Sequence, residues 1–178
     1  MSHTVFISLG SNVGNRAAYL ESAREELRRK LLLEAISPIY ETKPWGFTDQ
    51  PDFLNQVVRC ATDLEPQALL VTLKSLEAQL GRIPTFHYGP RQIDLDILMF
   101  DDLVLNSPDL TLPHPHFHER AFVLVPLAEL APELVHPVLK SSIYDLLTHL
   151  DTSSVKSYPP SAPEPPTSKE GIELLGLK

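Results

Sequence analysis

"GPRQIDLDILMF", residues 89–100, runs from a breaker-rich turn into an apolar strand that carries two carboxylates. Side chains of a strand alternate between faces with a period of two. That puts Ile93, Leu95, Ile97 and Met99 on one face and Asp94, Asp96, Leu98 and Phe100 on the other. The face with the acids turns apolar within two residues, so it is not the wet side of an amphipathic strand, and both faces are expected to be covered. Two carboxylates about 6 Å apart repel by roughly 3 kcal/mol at an effective dielectric near 20. A hard divalent cation held by their oxygens removes that cost, so Asp94 and Asp96 read as a magnesium site. The alternative is that both acids sit where the strand leaves the sheet and point into water.

Outward from this stretch, strands and helices interleave. A buried strand, "TVFISLG" (4–10), and the turn "SNVGN" lead into an amphipathic helix over 16–32, with Leu20, Ala23, Leu27 and Leu31 at helical spacing and Asn15 as its cap. A strand over 35–42 enters the loop "KPWGFTDQPD", whose prolines and glycine forbid regular structure. The strand "FLNQVVRCATDL" follows. Pro66 then opens a second helix, where its missing N–H is harmless, with Leu69, Leu73, Leu76 and Leu80 as the buried stripe and Gly81 as the stop. Beyond "RIPTFHYGPR" and the acid-bearing strand, "LVLN" reads as a short return strand. A helical stretch near 117–130 and a short helix from Ser142, with Asp145 in a capping position, close the globular part. The pattern predicts an α+β sandwich in which helices cover an antiparallel-rich sheet. One domain over 1–151 is expected, with the Pro- and Ser-rich residues 152–178 reading as a disordered tail whose final "IELLGL" is able to dock.

At 178 residues, with 43% hydrophobic and 21% charged side chains, the chain is large enough to bury one proper core. No apolar run approaches the ~18 residues of a membrane span, and the start lacks a signal-peptide layout, so a cytoplasmic protein is expected. Cys60 is the only cysteine, which excludes an intrachain disulfide and a cysteine-based zinc site. A net charge of −8 argues against a nucleic-acid partner. It leaves room for a small anionic ligand, which needs only a local basic cluster. "GSNVGNR" after the first strand is neither a Walker loop nor a dinucleotide fingerprint, so any nucleotide phosphates must be held by side chains.

Those side chains surround the acids. Arg82 and Arg91 bracket the breaker-rich loop, and His114, His116, His118 and Arg120 follow in "TLPHPHFHERAF". Arginine's planar fork suits phosphate, and cations flanking an acidic metal pair are what phosphoryl transfer requires. The three alternate histidines offer a rival reading as a zinc or nickel site. Glu77 at the edge of the second helix's apolar stripe needs a partner, with Arg82 a candidate or a ligand hydroxyl the alternative. Phe53, Trp45 and Phe122 are core residues by default, but Trp45 and Phe122 are placed to line a flat pocket that stacks a planar ring.

Together "GPRQIDLDILMF", "SLGSN", "ETKPWG" followed by "QPDFLNQVV", and "LTLPHPHFHERAF" resemble the 6-hydroxymethyl-7,8-dihydropterin pyrophosphokinase family of the folate pathway, over about residues 4–136. The resemblance implies a three-layer α/β/α sandwich with a ferredoxin-like core, and transfer of pyrophosphate from ATP to the pterin hydroxymethyl group with release of AMP. It implies two Mg²⁺ ions on Asp94 and Asp96, and phosphate handling by Arg82 and Arg91. Glu77, Tyr88, Arg91, Thr111, His114 and Arg120 would lie around the nucleotide. Thr42, Pro44, Trp45, Phe53, Asn55, Asp94 and Phe122 would form the pterin pocket. Small-molecule substrates and a monomer are expected. The sequence departs from the family at Pro84, where a second loop cation is common, and at Tyr88, where tryptophan is common; His87 is a candidate substitute cation. Two other readings remain open on the residues alone: a pterin- or nucleotide-binding protein without catalysis, and a histidine-metal hydrolase centred on 114–118.

Overall fold

A computed structural model describes residues 1–159. Its main sheet is antiparallel throughout, in the order β5-β1-β4-β3-β8, with β2 also on β4. The strands are β1 (His3–Ser11), β2 (Leu32–Ile36), β3 (Ile39–Thr42), β4 (Phe53–Thr62), β5 (Asp94–Phe100) and β8 (Lys156–Tyr158). One face carries α1 (Arg16–Lys30) and α2 (Pro66–Gln79) over a core that includes Ile7, Leu9, Leu20, Leu27, Leu69 and Leu73. The other carries α3 (Ala121–Leu130) and α4 (Ile143–Thr148) over Phe6, Val57, Phe117 and Leu124. The result is the expected three-layer α+β sandwich with a ferredoxin-like core. None of the described helices is long and apolar enough to cross a membrane, and Cys60 is fully buried core, its thiol pushed up to about 12 by burial and the Glu34 charge.

Several local features differ from the sequence expectation for identifiable reasons. The strand expected over 35–42 is two strands, because Pro38 cannot donate to the ladder. Ser37 bridges the gap, its Oγ accepting from the Val57 N–H at 3.0 Å. In β5 the pairing with β1 skips a residue, Ile7 facing Ile97 and Phe6 facing Met99. This bulge at Leu98 reverses the alternation beyond it. Phe100 therefore joins Ile93, Leu95 and Ile97 in one core, while Met99 joins Leu98 in the other, opposite to a straight strand. "LVLN" does not return along β5: β6 (Leu105–Asn106) pairs with β7 (Thr111–Leu112) in a separate ribbon. The chain is diverted at Asp101, whose carboxylate accepts from the Thr4 N–H (2.8 Å) and meets the His3 ring (2.7 Å). At α4 the expected start holds: Ser142 is the cap, its Oγ accepting from the N–H of Asp145 three residues on, at 3.1 Å.

The boundary expected at 151 falls short. Lys156–Tyr158 pairs with the outer edge of β3, and Tyr158 packs against the α1/α2 core under the Arg16 guanidinium, 5.7 Å from its ring. Proline content alone concealed it, since a strand of three residues shows no periodicity. The expectation of disorder beyond it, and of a docking "IELLGL", falls outside the described residues. A chain ended at 151 should be less stable than one ended at 159 by about 1–3 kcal/mol, for the lost edge hydrogen bonds and the Tyr158 packing. Equal urea midpoints for the two would show that β8 contributes nothing.

Candidate active site

All the chemistry gathers at one end of the sheet, on the face shared with α3. Near the end of β1, Gly10 pairs with Asn55 of β4 on one side and Asp94 of β5 on the other. A side chain at position 10 would lie 3.6 Å from Asn55 Oδ1 and 3.8 Å from Phe53, so glycine leaves the ground between the aromatic pocket and the acids open.

The acids lie within a web of opposite charges. Asp94 receives Arg82 Nη1 on one oxygen and Arg91 Nη1 on the other, both at 2.8 Å. The same Arg82 nitrogen reaches Glu77 Oε2 at 2.7 Å. Glu77 is only 3% exposed, and its second oxygen accepts from the Leu95 N–H at 2.7 Å and from Lys74 Nζ at 3.1 Å. Glu77 thus has the Arg82 partner expected of it, and ties α2 to β5. Asp96 has a poorer partner, with Lys74 Nζ at 3.9 Å. The two carboxyls consequently part. Burial favours the neutral form of both, but Arg91, Arg82 and Lys74 outweigh it at Asp94 and hold that carboxyl below its ordinary value. At Asp96, burial and the Asp94 charge push the carboxyl up to about 7. An acid pair whose second member lacks a close cation fits a hard divalent ion, and Mg²⁺ is commonly bound by only one or two carboxylates plus substrate oxygens.

Beside the acids opens a cavity of about 470 Å³, solvent at its mouth included, whose lining includes Thr42, Trp45, Phe53, Asn55, Tyr88 and Phe122. Asn55 Nδ2 donates to Thr42 Oγ1 at 2.8 Å, which fixes the amide and leaves its oxygen on the Gly10 side. Arg120 also lines the cavity, its guanidinium 4.7 Å from the Trp45 ring and 5.8 Å from Phe122, with its buried Nε unpartnered. Trp45 meets Tyr88 edge-on at 5.4 Å. This contact requires Gly46: its φ is +85°, and a Cβ there would fall 2.8 Å from Tyr88.

Most of the residues singled out in the sequence therefore meet at this end of the sheet. Pro44 lies between two lining residues without lining the cavity itself. Tyr88, expected at the nucleotide, is instead part of the aromatic pocket. Thr111 lines a separate cavity of about 620 Å³ together with His114, His118 and His136. The histidine run does not assemble: among the described residues no group of three or more His, Cys, Asp or Glu is placed to hold a metal. His114 is held apart by its N–H, which donates to Leu98 O at 2.9 Å, and by its Nδ1, which accepts from the His116 N–H at 3.3 Å. Lys74 was missed, because a lysine on a helix is ordinarily solvated; its i,i+3 relation to Glu77 was the available signal.

The family model described as 7,8-dihydro-6-hydroxymethylpterin-pyrophosphokinase (HPPK) matches residues 6–132. The 2-amino-4-hydroxy-6-hydroxymethyldihydropteridine pyrophosphokinase of Aquifex aeolicus is 44% identical over 140 residues, 79% of this chain and 88% of that one. The protein of the same name from Methylorubrum extorquens is 43% identical over 153 residues, 85% of this chain and 96% of that one. The folic acid synthesis protein fol1 of Pneumocystis carinii is 44% identical over 143 residues, 80% of this chain but only 19% of that much longer one. Among solved structures, wild-type Plasmodium falciparum HPPK-DHPS aligns with a TM-score of 0.70 at 17% identity, covering 84% of this chain and 45% of that chain, a likeness of fold.

Burial, with the Arg120 and His116 charges behind it, pushes the His114 imidazole down to about 4. With Nδ1 accepting, its proton sits on Nε2. The His114 Cε1–H resonance should stay fixed between pH 5.5 and 8, and a titration midpoint near 6.5 would show an ordinary solvated imidazole instead.

Proposed function

The chain belongs to the 7,8-dihydro-6-hydroxymethylpterin-pyrophosphokinase family, and from that premise we propose how its own residues carry out the reaction. The enzyme is an ATP-dependent diphosphotransferase of folate biosynthesis, moving pyrophosphate from ATP to the hydroxymethyl group of 6-hydroxymethyl-7,8-dihydropterin and releasing AMP. One observation carries the residue assignment: the aromatic pocket and the acid pair share one face of the sheet, with Arg91 touching both.

The pterin ring stacks between Phe53 and Phe122 beneath Trp45, and the Asn55 amide, oriented by Thr42, reads its hydrogen-bonding edge; Pro44 shapes the loop behind it. The hydroxymethyl group then points past Gly10 toward Asp94 and Asp96. These two carboxylates would hold two Mg²⁺ ions, which would supply charge neutralisation on the triphosphate and make the substrate hydroxyl more acidic. Arg82 and Arg91, now paired with Asp94, are the cations nearest the transferring and leaving groups and offset the charge that builds there. Arg120 brings an unpartnered Nε to the anion. His114 offers its Nε2–H, with Glu77 and Thr111 completing the nucleotide's surroundings, while Tyr88 stays with the aromatic wall. The site so assigned asks for no residue of a second copy, so a monomer would suffice for it, and ATP as co-substrate is consistent with the cytoplasm. A binding protein without catalysis would need Phe53, Asn55 and Phe122 but neither acid.

With Mg²⁺, ATP and hydroxymethyldihydropterin, the product should be AMP rather than ADP; ADP would mean a different transfer. Asp94→Ala and Asp96→Ala should each lower kcat by roughly 10²–10³-fold or more with the fold intact, and near-normal turnover in either would remove that residue from the metal site. Arg82→Ala should reduce kcat more than it raises KM, the pattern of an interaction made in the transition state. Because Asp96 holds a proton below about 7, Mg²⁺ must displace it there and binds more weakly. Mg²⁺ should therefore raise Tm more at pH 8 than at pH 6, and Asp96→Asn should erase the difference.

A further inference from the structure

Asn12 is a polar residue at the end of β1 with 1% of its surface exposed, and both ends of its amide are occupied. Nδ2 donates to Gln50 Oε1 and to Pro51 O, each at 2.9 Å. Oδ1 accepts from the Arg91 N–H at 2.8 Å, while the Asn12 N–H donates to Arg91 O at 3.0 Å. Gln50 extends the link: its Nε2 donates to Tyr88 O at 2.6 Å and to Phe47 O at 2.7 Å. The two amides therefore fasten together three segments that share no secondary structure, namely the end of β1, the loop over 43–52 and the loop over 82–91.

Each loop delivers a different part of the site. The first supplies Lys43 and Trp45 to the wall of the aromatic pocket. The second supplies Tyr88 to that same wall and Arg82 and Arg91 to Asp94. Arg91 is pinned at both backbone polar groups by Asn12, so where its guanidinium can reach depends on that amide. Two edge-on aromatic contacts also join these loops, Phe47 with Phe86 at 5.0 Å and Trp45 with Tyr88 at 5.4 Å, but Trp45, Phe47 and Phe86 are each more than a third exposed. Asn12 is buried and Gln50 partly so, and hydrogen bonds held at such depth are directional and costly to break, so the pair transmits a shift in one loop to the other.

We propose that Asn12 and Gln50 are positioning residues that couple the two substrates energetically, so that the 43–52 loop closing on the planar substrate sets the backbone of Arg91 for the nucleotide, and the reverse. This rests on the assignment above of the pterin to the aromatic pocket and of Arg91 to the phosphates. Linkage makes the effect reciprocal: whatever factor the nucleotide adds to pterin affinity, the pterin adds to nucleotide affinity.

The test is a binding cycle on the full chain with Mg²⁺, using the oxidised 6-hydroxymethylpterin as fluorescent ligand with and without α,β-methylene-ATP. Wild type should show the nucleotide analogue tightening pterin binding by about 5–150-fold, the usual range for coupled sites. Gln50→Glu keeps the acceptor for Asn12 but loses both donors, and Asn12→Asp keeps the acceptor for Arg91 but loses both donors. In each, the coupling factor should fall toward one, while pterin affinity without nucleotide changes less than about three-fold. Gln50→Ala serves as the second variant where a new carboxylate disturbs folding. An undiminished factor in folded variants overturns the coupling role, as does an equal loss of both separate affinities with the factor kept, which is the mark of mere structural support. Absence of any coupling in wild type overturns it as well. Phe53→Ala separates the underlying assignment: if it retains pterin affinity, the pocket assignment fails whatever Gln50→Glu shows.

Discussion

The placement of two carboxylates two residues apart on an edge strand is the constraint from which the rest of this end of the molecule follows. Asp94 and Asp96 cannot both be charged and buried without cations nearby. The chain answers with Lys74 and Arg82 around the end of α2 and with Arg91 at the start of the strand. Glu77 joins them from the buried side, since one of its oxygens closes on the Leu95 N–H that lies between the two acids. Three acids and three bases thus form one connected set. The web is unevenly balanced, with Asp94 held by two guanidinium groups and Asp96 facing a lysine at 3.9 Å. That imbalance leaves Asp96 carrying a proton near neutrality and makes it the position most in need of an added cation.

The sheet explains why the pocket lies where it does. Its two faces are used differently: one carries α1 and α2, the other α3 and α4, and the cavity opens on the second beside the end of β1. That end is floored by alternate residues of neighbouring strands, Thr42, Phe53 with Asn55, Gly10, and Asp94 with Asp96. Antiparallel register brings them side by side, with Asn55 opposite Tyr40 on one flank and Gly10 on the other. A single shift in register would turn the entire set toward α1 and α2. The Leu98 bulge falls beyond the two acids, so it reverses the apolar end of β5 without disturbing them.

The sequence made much of this legible because the relevant signals are local. Alternation along β5 identified the acids as anomalous, helical spacing identified the stripes of α1 and α2, and Pro66 and Gly81 marked the ends of α2. The aromatic pocket was legible only through resemblance, since nothing in Phe53 or Phe122 alone distinguishes a stacking platform from core. What escaped was long-range. The bulge at Leu98 depends on how β5 meets β1, β8 depends on a free β3 edge, and the diversion at Asp101 depends on His3 and Thr4, 98 and 97 residues away. Lys74 and Asn12 were passed over for opposite reasons: a helical lysine reads as surface, and an asparagine after a strand reads as a turn.

Asn12 illustrates why a polar residue belongs at that position. An apolar side chain of similar size would fill the same space but leave the Arg91 N–H, the Pro51 carbonyl and the Gln50 Oε1 without the partners Asn12 gives them, each a cost of about 1–3 kcal/mol when buried. The loops around the site have little apolar contact to order them, and several of their larger side chains, Trp45, Phe47, Ile83 and Phe86, are at least 40% exposed. Their arrangement depends on hydrogen bonds, which are directional and which break and re-form as units, rather than on packing, which yields by degrees. On the coupling proposed above, loops that close on two substrates are better fastened in that way, because hydrogen bonds specify the closed geometry.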